Sequence, residues 1–226
     1  MHTELAVFQD RAEAGRVLAD RLTKYGGSPD VVVLALPRGG VPVGFQVARS
    51  LGAPLDVLSV RKLGVPGREE LAMGAIAGDG TQVINQQIVR ELGIAEGKLQ
   101  AVAAAEQQEL ERRERAYRGQ RPRPELTGMV VVVVDDGLAT GATMRAAVAA
   151  IRRQQPARVV VAVPVADAST CQQLQQAADE VICASTPALF VAVGPAYRDF
   201  GQTTDEEVRA LLDAARATND DQAAGA

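Results

Sequence analysis

The chain has 226 residues, 47% of them apolar, with a formal net charge of −4 and a pI near 5.2. That length suits one α/β domain with additions and a substantial core, and the acidic balance gives no overall attraction to nucleic acid or to an anionic membrane. Aromatic residues are only 3%, so Val, Ala and Leu must fill the core, and with His2 as the only histidine, His-based acid–base or triad chemistry is excluded.

Residues 10–25 read as a helix. Asp10 and Glu13 suit a capping box, Ala14, Val17, Leu18 and Leu22 form one apolar face, and Gly26-Gly27 end it. Residues 30–36 are an all-apolar strand pattern after Asp30, followed by the turn Pro37-Arg38-Gly39-Gly40 and a helix to about Ser50. Residues 54–60 read as the next strand, closed by Arg61-Lys62. The glycine- and charge-rich stretch 63–74 predicts a mobile loop, and Gly78-Asp79-Gly80 between two apolar runs predicts a hairpin. Residues 86–118 predict a short helix and then a longer one. Its pairs Glu109/Arg113, Glu111/Arg115 and Glu114/Arg118, four residues apart, predict a solvated face. Arg121-Pro122-Arg123-Pro124 reads as a stiff linker.

The most informative stretch is residues 129–143, MVVVVVDDGLATGAT. An apolar run ends in Asp135-Asp136, and a small-residue turn then opens the helical pattern MRAAVAAIRRQ. A buried parallel strand thereby delivers two carboxylates to its carboxyl end, the edge where open α/β sheets bind ligands. The turn behind them offers backbone amides at a helix N-terminus, which suits an anion. Carboxylates fit for sugar hydroxyls or a metal, beside a cradle fit for phosphate, point to a sugar phosphate. A P-loop is excluded because no lysine follows Gly141, and a dinucleotide fold because the acids precede the turn.

Further on, strands are predicted at 158–165 and 180–184, with a helix from about 167 to 178 between them. Thr204 and Glu207 suit a capping box for a last helix with Val208, Leu211, Leu212 and Ala215 facing inward, and residues 217–226 are expected to fray or be disordered. Cys171 and Cys183 have neither metal nor redox spacing and are expected to be reduced thiols. No apolar run approaches the roughly 20 residues of a membrane span, and the N-terminus lacks a signal-like apolar segment, so a cytoplasmic protein is expected. The alternation of strands and helices predicts an α/β fold, a largely parallel central sheet flanked by helices.

The strand–DDGxATGxT–helix arrangement resembles the phosphoribosyl-diphosphate (PRPP) signature of the type I phosphoribosyltransferases. The resemblance covers about residues 28–202. It implies that Asp135 and Asp136 hold the ribose hydroxyls, and that Gly137, Ala139, Thr140, Gly141, Ala142 and Thr143 wrap the 5′-phosphate. It implies pyrophosphate binding by Arg38, Gly39 and Gly40, and catalytic contacts to the diphosphate from Arg61 and Lys62, with a weaker case for Arg68. Mg²⁺ is the implied cofactor. The string Phe190 to Phe200 resembles the hood that receives the acceptor, with Phe190 and Tyr197 against the base and Asp199 against the metal or pyrophosphate. The expected organisation is one domain over 1–217, with a helical insertion at about 86–120, a hood at about 185–203 and a disordered tail at 218–226.

The match departs from hypoxanthine/guanine salvage members in one respect. The stretch Val161–Ala166, after the signature helix, lacks the lysine that reads a purine 6-oxo group. The insertion resembles bacterial and archaeal members whose acceptor is not assigned. The implied partners are PRPP and a small-molecule nitrogen acceptor, a nucleobase first among them, with no nucleic acid and no membrane; a homodimer is implied by the resemblance alone. Two further readings stay open: a regulatory module that senses PRPP or a nucleotide without turnover, and an enzyme of the same fold with another chemistry on a ribose phosphate.

Overall fold

The structure, a computed structural model, describes residues 8–78, 80–119 and 121–224. The chain opens with α1 (Arg11–Asp20), whose first turn is capped by Asp10 accepting the Glu13 amide at 2.8 Å. Then follow β1 (Val31–Ala35), α2 (Gly40–Leu51), β2 (Leu55–Val57) and a run of three strands, β3 (Val60–Val65), β4 (Arg68–Ala77) and β5 (Gln82–Ile84). Helices α3 (Gln86–Glu91) and α4 (Glu96–Arg118) precede β6 (Val130–Val134), α5 (Ala142–Arg153), β7 (Arg158–Val165), α6 (Ala168–Leu174), β8 (Glu180–Ser185) and α7 (Asp205–Ala224).

The main sheet has five strands in the order β2-β1-β6-β7-β8, and every neighbouring pair is parallel. Helices cover both faces, which is why β1 and β6 read as unbroken apolar runs. Val31, Val33, Val132 and Val134 pack with α1, α2 and α7, while Val32, Leu34, Val131 and Val133 pack with α5 and Leu174 of α6. At the start of α7, the Thr204 hydroxyl accepts the Glu207 amide at 3.1 Å, and the Glu207 carboxylate accepts the Thr204 amide at 2.7 Å. Among the described residues no helix is long and apolar enough to cross a membrane.

Several expectations need correction. Residues 63–74 are not a loop: β3 and β4 form an antiparallel hairpin around Pro66-Gly67, with Leu63, Val65 and Met73 buried against Leu99, Ala103 and Leu110 of α4. Alternate residues of the hairpin meet a helix, so glycines and charges on the other positions do not prevent strand formation. The strand expected over 54–60 divides, and Arg61 and Lys62 lie within β3. Val17 is outside the buried face of α1, at 38% exposure. Helix α7 extends to Ala224, through most of the stretch expected to fray, and residues 225 and 226 lie outside the described residues.

Cys171 and Cys183 are not reduced thiols but a disulfide, with sulfurs 2.07 Å apart. Helix α6 packs back against β8 and brings together two residues whose spacing in sequence carries no such signal.

The largest departure lies in α4. Glu109/Arg113 pair at 2.7 Å on a partly exposed face, but Glu114 and Arg118 are each only 5% exposed. Arg118 Nε donates to both Asp56 carboxylate oxygens at 2.9 and 3.1 Å, its Nη1 to Glu114 at 3.1 Å, and its Nη2 to the Val57 carbonyl at 2.7 Å. Arg123, from the stretch read as a linker, adds a second guanidinium to Glu114. This buried network fastens α4 to the edge strand β2. Arg118→Ala takes the cation from buried Asp56 and leaves Glu114 to Arg123, and it is expected to cost about 3–5 kcal/mol in urea unfolding; a loss under about 1 kcal/mol, the level of a surface pair, contradicts the network.

Candidate functional site

Strand register builds the site. β1 pairs with β6 from Val31↔Val130 to Ala35↔Val134, so the two strands end level at their carboxyl termini. The Leu36 amide then donates to the Val134 carbonyl at 2.8 Å. The loop after β1 is thereby laid against the acid pair after β6. The fit leaves no room for side chains: a Cβ on Gly39 would overlap Asp136 Oδ2, and one on Gly40 would stand 2.8 Å from the Val134 carbonyl. Glycine is required at both positions for close approach. The Pro37–Arg38 peptide bond in this loop is cis.

Asp135 is half-buried at the end of β6. Its Oδ1 accepts the Asp136 amide at 2.9 Å, and burial, reinforced by the neighbouring Asp136 charge, pushes its carboxyl well above the ordinary range. Burial also raises Asp136, but the Arg11 guanidinium opposes that rise through a 2.8 Å bond from Nε to Oδ2. The acids are therefore not symmetrical: one accepts a backbone amide, and the other is held by a cation.

Behind them the turn 137–141 is fixed at its flanks and open at its end. The Leu138 amide donates to the Val165 carbonyl at 2.9 Å, and the Thr170 hydroxyl of α6 donates to the Ala139 carbonyl at 2.8 Å. Gly141 has φ +65°, which re-aims the chain into α5, and no side chain caps that helix. Ala139, Thr140 and Thr143 are exposed. The first amides of a helix lack intrahelical acceptors and carry the positive end of its dipole, so this uncapped end is suited to an anion.

Other expected site residues lie less simply. The Arg38 side chain turns toward the start of α7, 3.9 Å from Asp205 Oδ1, which also accepts the Tyr117 hydroxyl at 2.7 Å. Arg61 is directed onto α4, where it pairs with Glu106 and reaches Glu109 at 3.9 Å; Lys62, the next residue on the strand, is exposed. Tyr197 as an acceptor-stacking ring needs correction, since it is 6% exposed, packed on Phe8, and its hydroxyl donates to the Asp136 carbonyl at 2.5 Å. Phe190 packs at the edge of that same small cluster, while Leu189 and Val191 beside it are exposed. Asp199 accepts the Gly201 amide at 3.0 Å, and among the described residues no group of three or more His, Cys, Asp or Glu forms a metal cage.

Arg11 is the residue the sequence reading missed. A cation in the first turn of a helix faces the positive end of the dipole, and that misplacement was the available signal.

The buried acid makes a stability prediction. The folded-state pKa of Asp135 is raised above its unfolded value, so its contribution is most favourable below the unfolded value near 3.8 and is lost as pH rises through the folded value. Asp135→Asn keeps the acceptor oxygen and removes the charge. Thermal unfolding is expected to find the variant more stable than wild type at neutral pH, with the gain shrinking toward pH 4. Equal destabilisation at both pH values contradicts the raised Asp135 carboxyl.

Comparison with known proteins places this geometry in a family. The model for the phosphoribosyl transferase domain matches residues 7–198. A Mycobacterium tuberculosis protein named "Putative phosphoribosyl transferase", found in two strains, is 51% identical over 222 residues, covering 98% of this chain and 49% of the relative. The chain thus spans about half the length of the curated relatives it matches. The solved structure of TT1426 from Thermus thermophilus superposes with a TM-score of 0.81 at 45% identity, covering 91% of this chain and 97% of that one. With the α/β fold shared and the family match spanning both loops and the acid pair, the chain belongs to the phosphoribosyl transferase domain family, a family of pentosyltransferases.

Proposed function

We propose that the site binds PRPP and transfers its ribose 5-phosphate to a nitrogen acceptor, releasing pyrophosphate. The observation that carries this reading is the adjacency of the acid pair to the uncapped start of α5, closed on the other side by two glycines that no larger residue could replace. In this reading Asp135 and Asp136 accept the ribose hydroxyls, the amides and hydroxyls of 139–143 take the 5′-phosphate, and the amides of Gly39 and Gly40 face the diphosphate. A nucleobase is the favoured acceptor, approaching beneath the hood near Phe190.

The chemistry is a displacement at ribose C1. The bond from C1 to the diphosphate oxygen breaks, a bond from C1 to nitrogen forms, and the nitrogen gives up its proton to solvent. Negative charge grows on the leaving group, so positioning and electrostatic neutralisation supply most of the rate. Arg38 belongs to the diphosphate loop and serves once it leaves Asp205, whose exposed carboxylate holds it only at 3.9 Å. Asp135 and Asp136 hold the sugar rather than act as bases.

Members of the family generally use Mg²⁺. The donor set here suits such an ion, because Mg²⁺ is commonly held by one or two carboxylates together with substrate phosphates rather than by a protein cage. Asp199, with one carboxylate oxygen committed to Gly201, is the residue that would hold it. When bound, the ion would neutralise charge on the diphosphate.

A second reading is favoured by one observation. Arg61, expected to reach the diphosphate, is engaged by Glu106 and Glu109 of α4. A chain in which it stays there binds PRPP as a sensor, without turnover; an enzyme must release it to the reacting centre.

Calorimetric titration with PRPP and Mg²⁺, followed by a pyrophosphate-release screen across bases and small amines, separates the readings. Micromolar-range binding with release for at least one acceptor supports transfer; binding with no release supports the sensor. Asp136→Asn is expected to weaken PRPP binding by about 1.5–3 kcal/mol, the worth of a charged hydrogen bond. Unchanged affinity in that variant refutes the ribose assignment.

A further inference from the structure

We propose that Arg11 is a positioning residue for the ribose: it orients Asp136 and ties the acid to the hood. The proposal rests on the reading of Asp136 as a ribose acceptor.

Arg11 is the first residue of α1, far in sequence from both loops of the site, yet its side chain is only 12% exposed and Asp136 only 15%. Its Nε donates to Asp136 Oδ2 at 2.8 Å, and its Nη1 donates to the Gly201 carbonyl at 2.7 Å. Its guanidinium carbon lies 4.0 Å from the Phe200 ring centroid and 5.9 Å from that of Tyr197. Those two rings stack on each other at 5.0 Å, and the Tyr197 hydroxyl reaches back to the Asp136 carbonyl. The hood segment 197–201 is thus fastened to Asp136 twice, once through its backbone and once through its side chain.

The geometry favours orientation over blockade. A carboxylate has two oxygens and about four acceptor sites, and Arg11 takes Oδ2 through a single nitrogen. Oδ1 is left to accept a hydroxyl. The planar guanidinium is held in place by a carbonyl and a ring face, so it fixes the carboxylate plane in a way a flexible ammonium would not.

The charge argument points the same way. Burial disfavours a negative Asp136, whose charge in turn raises its neighbour Asp135; Arg11 from α1 is the cation facing it. Tyr197 meets it with a neutral hydroxyl on its backbone, and the diphosphate loop meets it with Gly39, the Arg38 side chain being turned to Asp205. Without Arg11, the carboxyl gives up its proton only at higher pH, and ribose binding that needs the ionised form moves with it.

The test is PRPP titration across pH 5–9 on wild type, Arg11→Gln, Arg11→Lys, Asp136→Asn and the double variant Arg11→Gln/Asp136→Asn. Arg11→Gln is expected to lose tenfold or more in affinity at pH 6, about 1.4 kcal/mol, and to recover part of it at high pH. Arg11→Lys should restore the pH profile but only part of the affinity. In the Asp136→Asn background Arg11→Gln should add little further loss, since the two act through one bond. Equal losses of Arg11→Gln in both backgrounds, or an unmoved pH profile, overturn the positioning role while leaving the ribose reading intact; a wild type that does not bind PRPP overturns both. Phe200→Leu keeps the Arg11–Asp136 bond and guards against a folding defect in Arg11→Gln: it should lower affinity less and leave the pH profile in place, and a shifted profile there counts against the charge argument.

Discussion

The Leu36 amide donates to the Val134 carbonyl at 2.8 Å, one bond beyond the last paired residues of β1 and β6. That bond extends the parallel register past both strand ends, and the arrangement of the site follows from it. Because the strands stop level, Gly39 and Gly40 come against Asp136 and Asp135 with no space for a Cβ. A shift of one residue would invert every side chain of the strand between the two faces, and the continuous apolar packing on both faces holds the register in place. The core and the site are thus one structure: the valines that bury the sheet also set the distance between the Gly39-Gly40 loop and the acid pair.

The acids are kept usable at a cost. Burial works against the charge on both, and the chain answers with different devices, a backbone amide for Asp135 and a cation for Asp136. The cation comes from α1 and is braced by Phe200 and the Gly201 carbonyl, so three segments remote in sequence converge on one carboxylate. Elsewhere the same chemistry serves the fold. Arg118, ringed by Asp56, Glu114 and the Val57 carbonyl, anchors α4 to the sheet edge, and α4 in turn engages Arg61. Helix α4 thus links the sheet edge to a cation of β3.

Much of the frame was legible because local physics and global fold agree. The all-apolar strands, the Asp10 and Thr204 caps and the Gly141 turn each carry a one-dimensional signal, and the structure has an element at each. What was illegible depends on distant partners. Glu114 and Arg118 have the spacing of a surface pair, and partners distant in sequence, Asp56 62 residues from Arg118 and Arg123 on Glu114, hold them in a buried network. Residues 63–74 lack apolar continuity, yet α4 supplies the face that turns them into a hairpin. Tyr197 was read as a base-stacking ring because aromatic content does not separate stacking from packing, and here its hydroxyl is committed to Asp136. Arg11 sits outside any motif, and its role depends on the fold of α1 against the hood.

The most direct test of the central claim is a crystal structure of the protein soaked with ribose 5-phosphate. The account predicts the phosphate on the amides at the start of α5 and the ribose hydroxyls within hydrogen-bond distance of Asp135 and Asp136. An ordered sugar phosphate bound elsewhere, with those carboxylates untouched, would contradict it.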